Sequence, residues 1–191
     1  MITPKVNGTK VVIGPCRLSY PHLFTKYIPE GDNSGKGKYS TRVLINKTEK
    51  ETLKAINAAI EAAKQQGIVS KWGGKTPKNL SMPLNDGDDK EDDKEDEACK
   101  GCYYLNAKAK DRPGIVDRNK QHIVDEEEMY SGVWAIVSIT FFPYDVSGNK
   151  GVACGLNNLM KWKDDDHLGG RVSAEADFDG VDTSSEDDED L

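Results

Sequence analysis

Basic, aromatic and amide side chains share the outward faces of two predicted strands. In each strand the alternate residues are apolar, so the residues between them point to the other side of the sheet. Cations on such a face can follow the phosphates of a nucleic acid, and flat rings can stack on unpaired bases at about 1–3 kcal/mol per base. The side chains concerned are Lys38 and Arg42 on one strand and Tyr104, Asn106, Lys108 and Lys110 on the other.

Residues of two predicted loops extend this surface. Arg112 follows the second of the two strands, and the loop after the predicted helix carries Lys71, Trp72 and Lys75. Together with the strand residues they predict a cationic groove with aromatic side chains, which is the surface that single-stranded nucleic acid requires. Lysines on an outer strand face are often only solvated, so the pattern by itself leaves a surface without a ligand open.

The distribution of charge favours a polyanionic ligand. The chain carries 26 Lys and Arg and 33 Asp and Glu, a formal net charge of −7. Twelve of the acids lie at or beyond Asp164 and nine lie within residues 86–97, so the remaining body has a charge of about +11. A basic body of this kind binds a polyanion by neutralising phosphates and releasing counterions.

Two acidic segments stand apart from the basic body. The run 86–97 is too highly charged to bury a core, and we expect a mobile loop there. The last seventeen residues hold nine acids and no Lys or Arg, and residues 164–191 are predicted to form a disordered acidic tail that competes for the basic surface. Partner proteins are expected to bind the end of that tail, which consists of Glu186, Asp187, Asp188, Glu189, Asp190 and Leu191.

Five strands and one helix are predicted to position these residues. The helix spans residues 48–66: Thr48 and Glu51 have the spacing of a capping box, and Gly67 is expected to end it. Its single apolar stripe indicates that it lies against a sheet. Gly14-Pro15 predicts a bend or bulge in the first strand. The strands are predicted over residues 11–18, 38–45, 103–110, 133–142 and 151–162. In the strand 133–142 one face is predicted to be wholly apolar, and it consists of Val133, Ala135, Val137, Ile139 and Phe141, whereas Phe142 belongs to the mixed opposite face.

A mainly β fold follows from this order of elements. Five strands with one amphipathic helix suit a small closed barrel, and we predict an OB-fold. The usual helix of that fold lies between the third and fourth strands, whereas here it falls between the second and third. The predicted organisation is an OB-fold domain over residues 1–163, with the loop 86–97 inserted, and the tail over residues 164–191.

Signals for catalysis or a bound metal are weak. The sequence has no phosphate-binding P-loop, no Gly-x-Ser-x-Gly motif and no zinc-deaminase signature. Cys99 and Cys102 could form half of a zinc site, but a second close pair is missing, and His22, His122 and His167 lack ligand spacing. We therefore predict neither an enzyme nor a cofactor.

The sequence also favours a cytosolic location. No run of eighteen apolar residues predicts a membrane span, and the N-terminus lacks the apolar stretch of a signal peptide. In a reducing compartment the four cysteines are expected to be free thiols. The oligomeric state is open, with a homodimer among the assemblies that the sequence allows.

Seven short motifs follow one another along the body of the chain. They are RLSYPHLF at 17–24, KWGGK at 71–75, PLNDGD at 83–88, RPGIVDR at 112–118, YSG at 130–132, GVACGLNN at 151–158 and LGGR at 168–171. In this order they resemble a family of phage-encoded single-stranded DNA-binding proteins. The motifs contain Arg17, Tyr20, Lys71, Trp72 and Arg112, which we add to the candidate DNA contacts.

The resemblance implies an OB-fold core that binds single-stranded DNA during phage replication or recombination in the cytoplasm of a bacterial host. It implies no enzymatic activity, and it makes the early helix a variation within the family. The acidic end is similar to the tails with which single-stranded DNA-binding proteins recruit replication partners, here a phage or host polymerase, helicase or nuclease. Its last residue is Leu191 rather than an aromatic residue.

Two other interpretations remain open from the residues alone. An adaptor could use the acidic loop and tail to mimic DNA and occupy a nuclease or polymerase. A nuclease could use clustered Asp and Glu with magnesium, although such chemistry needs carboxylates held rigidly around two ions. The basic strand faces favour DNA binding over both.

Overall fold

The fold was analysed in a computed structural model, which describes residues 1–89, 97–169 and 177–181. Within these residues, short 3-10 turns at Glu97–Cys99 and Glu126–Glu128 accompany the strands and one long helix. The principal elements are β1 (Lys5–Asn7), β2 (Lys10–Tyr27), β3 (Lys38–Asn46), α1 (Lys50–Ser70), β4 (Leu84–Asp86), β5 (Cys102–Ala109), β6 (Gly114–Val116), β7 (Trp134–Val146) and β8 (Asn149–Lys163).

Five strands close into a barrel. β2 pairs antiparallel with β3 and with β7, β3 pairs with β5, and β7 pairs with β8. A parallel contact between Lys108 of β5 and Gly155 of β8 closes the ring. This is the strand order of an OB-fold and confirms the predicted fold class. β1, β4 and β6 are short additions to the edges of β2, β5 and β8. They were not predicted, because three residues are too few to show the alternation of a strand.

The buried core contains the apolar residues that the strand alternation predicted to face inward. The apolar face predicted for the strand 133–142 is fully buried, and so are the inward residues Leu105 and Ala107 of β5. Burial of this apolar surface drives folding of the barrel and fixes which side chains of each strand face outward. The fully buried face consists of Val133, Ala135, Val137, Ile139 and Phe141.

The helix is confirmed between the second and third barrel strands, but both predicted ends are wrong. α1 begins at Lys50 with Glu49 at the N-cap position and no side-chain cap. The side chain of Asn46 accepts hydrogen bonds from the backbone N–H and hydroxyl of Thr48, so no capping box forms. The apolar stripe from Leu53 to Ala63 joins the core as predicted.

Gly67 lies inside the helix rather than after it. It is buried, and a methyl group added there would lie 2.5 Å from the ring of Trp72. The missing side chain therefore serves the packing of Trp72 against the helix. The helix continues for one more turn to Ser70.

β2 carries two irregularities. Its pairing with β7 shifts register between Ile13 and Cys16, which confirms the bulge predicted at Gly14-Pro15. Its pairing with β3 shifts again between Ser19 and His22. A bulge of this kind re-aims the side chain at its centre.

Parts of the two acidic segments lie outside the described residues. Asp86 and Asp88 both bind the ammonium group of Lys47, and these hydrogen bonds lower the pKa of both carboxyl groups. Residues 90–96 of the predicted loop, and the predicted partner-binding residues 186–191, fall outside the described part. None of the described helices is long and apolar enough to span a bilayer.

Candidate nucleic-acid interface

The outward residues of β3 and β5 form cross-strand pairs. Arg42 lies opposite Asn106, and Ser40 lies opposite Lys108. Paired residues of antiparallel strands point to the same face with their Cβ atoms about 5 Å apart. The strand alternation that buries Leu105 therefore presents Asn106 and Lys108 together on the outer surface.

A groove of about 760 Å³ runs along this surface, and we call it the basic groove. It extends from β3 and β5 to the end of β7 and the start of β8. Five predicted contacts line it together: Lys38, Asn106, Lys108, Lys110 and Arg112. Residues that the sequence analysis did not select also line it: Ser81, Met82, Pro83, Asn85, Ala109, Asp111, Phe142, Tyr144, Val152, Ala153, Cys154, Leu156 and Asn157.

Cations dominate the charge of the basic groove. Lys38, Lys108, Lys110 and Arg112 line it with a single carboxylate, that of Asp111. None of the four cations forms an ion pair with a carboxylate in the described part of the chain. Their charges are therefore available to an anionic ligand such as a phosphate chain.

Phe142 supplies an aromatic surface in the basic groove. Its side chain is 46% exposed. A methyl group added at Gly155 would lie 3.4 Å from the Phe142 ring, an ordinary van der Waals distance, so the ring lies beside Gly155 on β8. Gly155 in turn pairs with Lys108, which brings a ring and an ammonium group to the same place.

Amide groups of fixed orientation lie beside these charges. The side-chain oxygen of Asn106 accepts a hydrogen bond from Nε of Arg42 at 3.2 Å, so the amide nitrogen is the remaining polar atom of that side chain. The Asn85 amide nitrogen donates to the carbonyls of Pro83 and Tyr104, so its oxygen is the remaining polar atom. The groove thus offers both a donor and an acceptor beside its cations.

Next to the basic groove lies the Arg42 cluster, which consists of Arg42, Tyr20, Tyr104 and Asn106. The Arg42 guanidinium lies 4.5 Å from the centre of the Tyr104 ring and 5.4 Å from that of Tyr20. Such cation–π contacts stabilise the arrangement and hold the guanidinium plane in place. Tyr104 itself is only 8% exposed because it packs with Leu44 and Cys99.

Tyr20 is held outward by its backbone. It lies in the second irregularity of β2, its φ is +48°, and its side chain is 57% exposed. A positive φ is strained for a residue of this size, and such strain persists where the surrounding structure imposes it. The bulge therefore aims an exposed ring towards Arg42.

The remaining predicted contacts lie elsewhere. Lys71 and Lys75 are exposed in the loop after α1 but do not line the basic groove. Trp72 is 6% exposed, and its indole N–H donates to the carbonyl of Tyr144 at 3.1 Å. A ring buried to this extent has no face to offer a base, so Trp72 anchors the loop instead. Arg17 donates to the carbonyls of Gly132 and Asp166.

A second groove of about 740 Å³ adjoins the basic groove. The two share Ser81 and Tyr144 as lining residues. Beneath this shared wall, a side chain on Gly151 would collide with the carbonyl of Ser81 and lie 2.8 Å from the hydroxyl of Tyr144. Gly151 therefore permits the close approach of Ser81 to β8 at the place where the two grooves meet. The second groove is lined by Asn79, Leu80, Ser81, Tyr144, Val146, Gly148, Asn149 and Lys150.

Some groove residues that were not predicted as DNA contacts had a signal in the sequence. Phe142 has the outward parity predicted for the strand 133–142, but its place in the basic groove depends on closure of the barrel between Lys108 and Gly155. Asn85 and Asn157 lie inside two of the short motifs, and Asn157 donates to the hydroxyl of Thr140 at 2.9 Å. Asn85 lies on β4 and Asn157 on β8, and the tertiary contact that brings both to one groove has no local sequence signature.

No metal-binding cluster is found in the described ranges. Within them, no group of three or more His, Cys, Asp or Glu could hold an ion. Cys16, Cys99, Cys102 and Cys154 are free thiols. Burial raises the pKa of Cys154, which lines the basic groove, to about 12, so it offers no thiolate there.

Comparisons with known proteins identify a family for this chain. A family model described as "Enterobacter phage Enc34, ssDNA-binding protein" matches residues 9–191. A "Putative protein p50" of Acyrthosiphon pisum secondary endosymbiont phage 1 is 30% identical over 188 residues, which cover 93% of this chain and 96% of the relative.

Solved structures show the same fold. The single-stranded DNA-binding protein from bacteriophage Enc34, in complex with ssDNA, is 28% identical, with 84% of this chain and 90% of that chain covered and a TM-score of 0.72. The single-stranded DNA-binding protein gp2.5 of bacteriophage T7 is 15% identical, with 85% of this chain and 97% of that chain covered and a TM-score of 0.53. The latter likeness is one of fold alone.

Proposed function

Because the chain belongs to the single-stranded DNA-binding protein family of Enterobacter phage Enc34, we propose that it binds single-stranded DNA in the basic groove without sequence preference. Family membership agrees with the prediction of a binding protein rather than an enzyme. The observation that carries the proposal is the meeting, in one groove, of the exposed ring of Phe142 with four cations that form no ion pair in the described part of the chain.

The arrangement of the groove favours an unpaired strand over a duplex. Cations contact phosphates, which carry no sequence information, and ring faces stack on any base. Phe142 in the basic groove and Tyr20 in the neighbouring Arg42 cluster offer exposed rings, and Arg42 lies beside Tyr20. In a duplex the bases are stacked on one another and their faces are not accessible to these rings.

The proposed path of the strand joins the two grooves. From the Arg42 cluster it follows Lys108 and Phe142 and passes Ser81 and Tyr144 into the second groove. Lys150 lines that groove, where it pairs with Asp145 at 3.5 Å in a half-exposed ion pair that a phosphate can replace. Lys71 and Lys75 belong to the loop that Trp72 fixes to the carbonyl of Tyr144, at the wall shared by the two grooves.

In this function the protein coats and protects single-stranded DNA during phage replication or recombination in the cytoplasm of the host. The acidic tail competes with DNA for the basic groove, and DNA binding releases it. The released end, residues 186–191, then recruits a phage or host polymerase, helicase or nuclease. The charge contrast between the body and the last seventeen residues supports this part of the proposal.

Fluorescence anisotropy with labelled oligo-dT, a mixed-sequence strand and the matching duplex tests the function. The full chain is expected to bind both single strands with similar affinity and the duplex more weakly. Affinity should fall steeply as salt rises from about 50 to 200 mM, because counterions are released on binding. Failure to bind oligo-dT at the lowest salt, with residues 175–191 removed as well as present, would refute the proposal and leave the acidic adaptor.

A further inference from the structure

One row of outward-facing residues crosses the barrel beside the Arg42 cluster. Trp134 pairs with Arg17, Arg17 with Leu44, Leu44 with Tyr104, and Tyr104 with Asn85. Paired residues of neighbouring strands share a face, so the five side chains lie side by side from β7 to β4. The row ends at the basic groove, which Asn85 lines.

Residues 164–168, which we call the anchor segment, lie along this row directly after β8. The indole N–H of Trp134 donates to the carboxylate of Asp165 at 2.6 Å. The guanidinium of Arg17 donates to the carbonyl of Asp166 at 2.6 Å. A side chain on Gly132, whose φ is +118°, would collide with that same carbonyl. The anchor segment is therefore seated closely on β2 and β7.

A second set of contacts fixes the anchor segment from the side. The Tyr130 hydroxyl accepts a hydrogen bond from the N–H of Asp165 at 3.0 Å and lies 3.0 Å from the carboxylate of Asp164. The rings of Tyr130 and His167 stack with their centres 4.2 Å apart. The N–H of Leu168 donates to the carbonyl of Ser131 at 2.9 Å.

The far end of the anchor segment reaches the Arg42 cluster. Leu168 packs against the group formed by Leu44, Cys99 and Tyr104. Tyr104 is the ring over which the Arg42 guanidinium lies, and the next row of the sheet pairs Arg42 with Asn106. Tyr104 therefore links the two side chains: Leu168 packs against the cluster that contains Tyr104, and Arg42 lies over the Tyr104 ring.

We propose that the anchor segment is part of the DNA-binding domain and that Leu168 is a positioning residue, which holds Tyr104 and hence the Arg42 guanidinium in the arrangement that binds single-stranded DNA. This rests on the proposed function. It also gives a role to residues of three motifs: Tyr130, Gly132 and Leu168, which were not predicted to contact DNA, and Arg17, which was. The functional boundary then lies after residue 168 instead of 163.

The negative charge of the anchor segment makes the proposal testable, because electrostatics and positioning predict changes of opposite sign in DNA affinity. Asp164, Asp165 and Asp166 lie beside a surface that binds a polyanion, so electrostatics alone predicts that removing any of them tightens DNA binding. Positioning predicts the opposite for Asp165, whose carboxylate accepts from Trp134. The Asp166 side chain contacts none of these groups, so Asp166→Ala is the matched control.

The experiment measures oligo-dT affinity of full-length variants across a salt series. Asp165→Ala is expected to weaken binding and Asp166→Ala to leave it unchanged or slightly tighter. Leu168→Ala should weaken binding at least about fivefold, as loss of one stacking position would, with the salt dependence unchanged. Ile68→Ala, which shortens a half-buried side chain packed on the main core, controls for general destabilisation and should keep wild-type affinity.

Thermal melting confirms that each variant is folded at the temperature of the assay. The proposal is overturned if Leu168→Ala binds as tightly as Ile68→Ala, or if Asp165→Ala tightens binding as much as Asp166→Ala. Wild-type binding to oligo-dT is the separate readout of the proposed function. Loss of binding confined to Leu168→Ala and Asp165→Ala supports the positioning role.

Discussion

The guanidinium of Arg42 lies between two tyrosine rings, 4.5 Å from the centre of Tyr104 and 5.4 Å from that of Tyr20. The Tyr104 ring is buried and the Tyr20 ring is exposed. The guanidinium therefore packs on a buried ring and also borders an accessible aromatic side chain. The hydrogen bond from its Nε to Asn106 fixes the plane of the guanidinium. The protein thus holds its cation in place before a ligand arrives, which reduces the entropic cost of binding.

Arg42→Ala is expected to weaken single-strand binding by about 1–2 kcal/mol and to reduce the salt slope by about one, since one phosphate contact is lost. Arg42→Lys keeps the charge but not the planar group, so it should keep the salt slope and lose part of the affinity. Titrations across a salt series measure both quantities. Lys54→Ala, an exposed lysine of α1, is the control, and an Arg42→Ala variant that behaves like it would remove Arg42 from the interface.

Phe142→Ala is expected to cost about 1–3 kcal/mol of binding free energy, the contribution of one stacked base. Phe142→Trp keeps an aromatic face and should retain most of the affinity. Because the substitution removes no charge, the salt slope should not change. Val69→Ala, at an exposed site on α1, is the control. Equal affinities of the alanine and tryptophan variants would show that the ring does not stack on DNA.

Removal of residues 175–191 is expected to tighten DNA binding at low salt, because nine carboxylates that compete for the basic groove are lost. The gain should shrink as salt rises and screens the competition. A full-length chain in which the same acids are replaced by amides should behave like the shortened chain. Identical affinities of the full and shortened chains at low salt would refute competition by the tail.

Gly67→Ala is expected to destabilise the protein, although alanine favours a helix by about 1 kcal/mol over glycine. The added methyl group would lie 2.5–2.7 Å from three atoms of the Trp72 ring, which is buried and hydrogen-bonded. Overpacking of this kind costs about 1–3 kcal/mol, so the net change should be a loss. Chemical denaturation measures it against Gln66→Ala on the same turn. A more stable Gly67→Ala variant would mean that Trp72 is free to move.

The anchor segment is expected to loosen in acid. The hydrogen bond from Trp134 lowers the pKa of Asp165, and that from Lys161 lowers the pKa of Asp164. A lowered pKa stabilises the folded protein above the unfolded value of about 4 and ceases to do so as the pH falls through the folded value. The melting temperatures of wild type and Asp165→Asn should therefore differ at pH 7 and converge as the pH falls through the lowered pKa of Asp165. A constant difference would show that the Asp165 charge does not stabilise the fold.

The sequence by itself determined which side of each long strand faces the core. The alternation in residues 133–142 and 103–110 predicted the buried residues from Val133 to Phe141 and the outward position of Asn106 and Lys108, because a strand places successive side chains on opposite faces. The stripe of α1 likewise predicted its buried face. Five strands and one helix then sufficed to predict the barrel, and the short motifs predicted the family.

Only the tertiary structure decided which outward residues meet. The pairing of Lys108 with Gly155 brings Phe142 into the basic groove, and packing on Gly67 removes Trp72 from it. Leu168 packs against the cluster that contains Tyr104, although 64 positions separate the two residues in the sequence. Local periodicity reports only the few neighbours of a residue along the chain, whereas these contacts depend on how distant strands close the barrel.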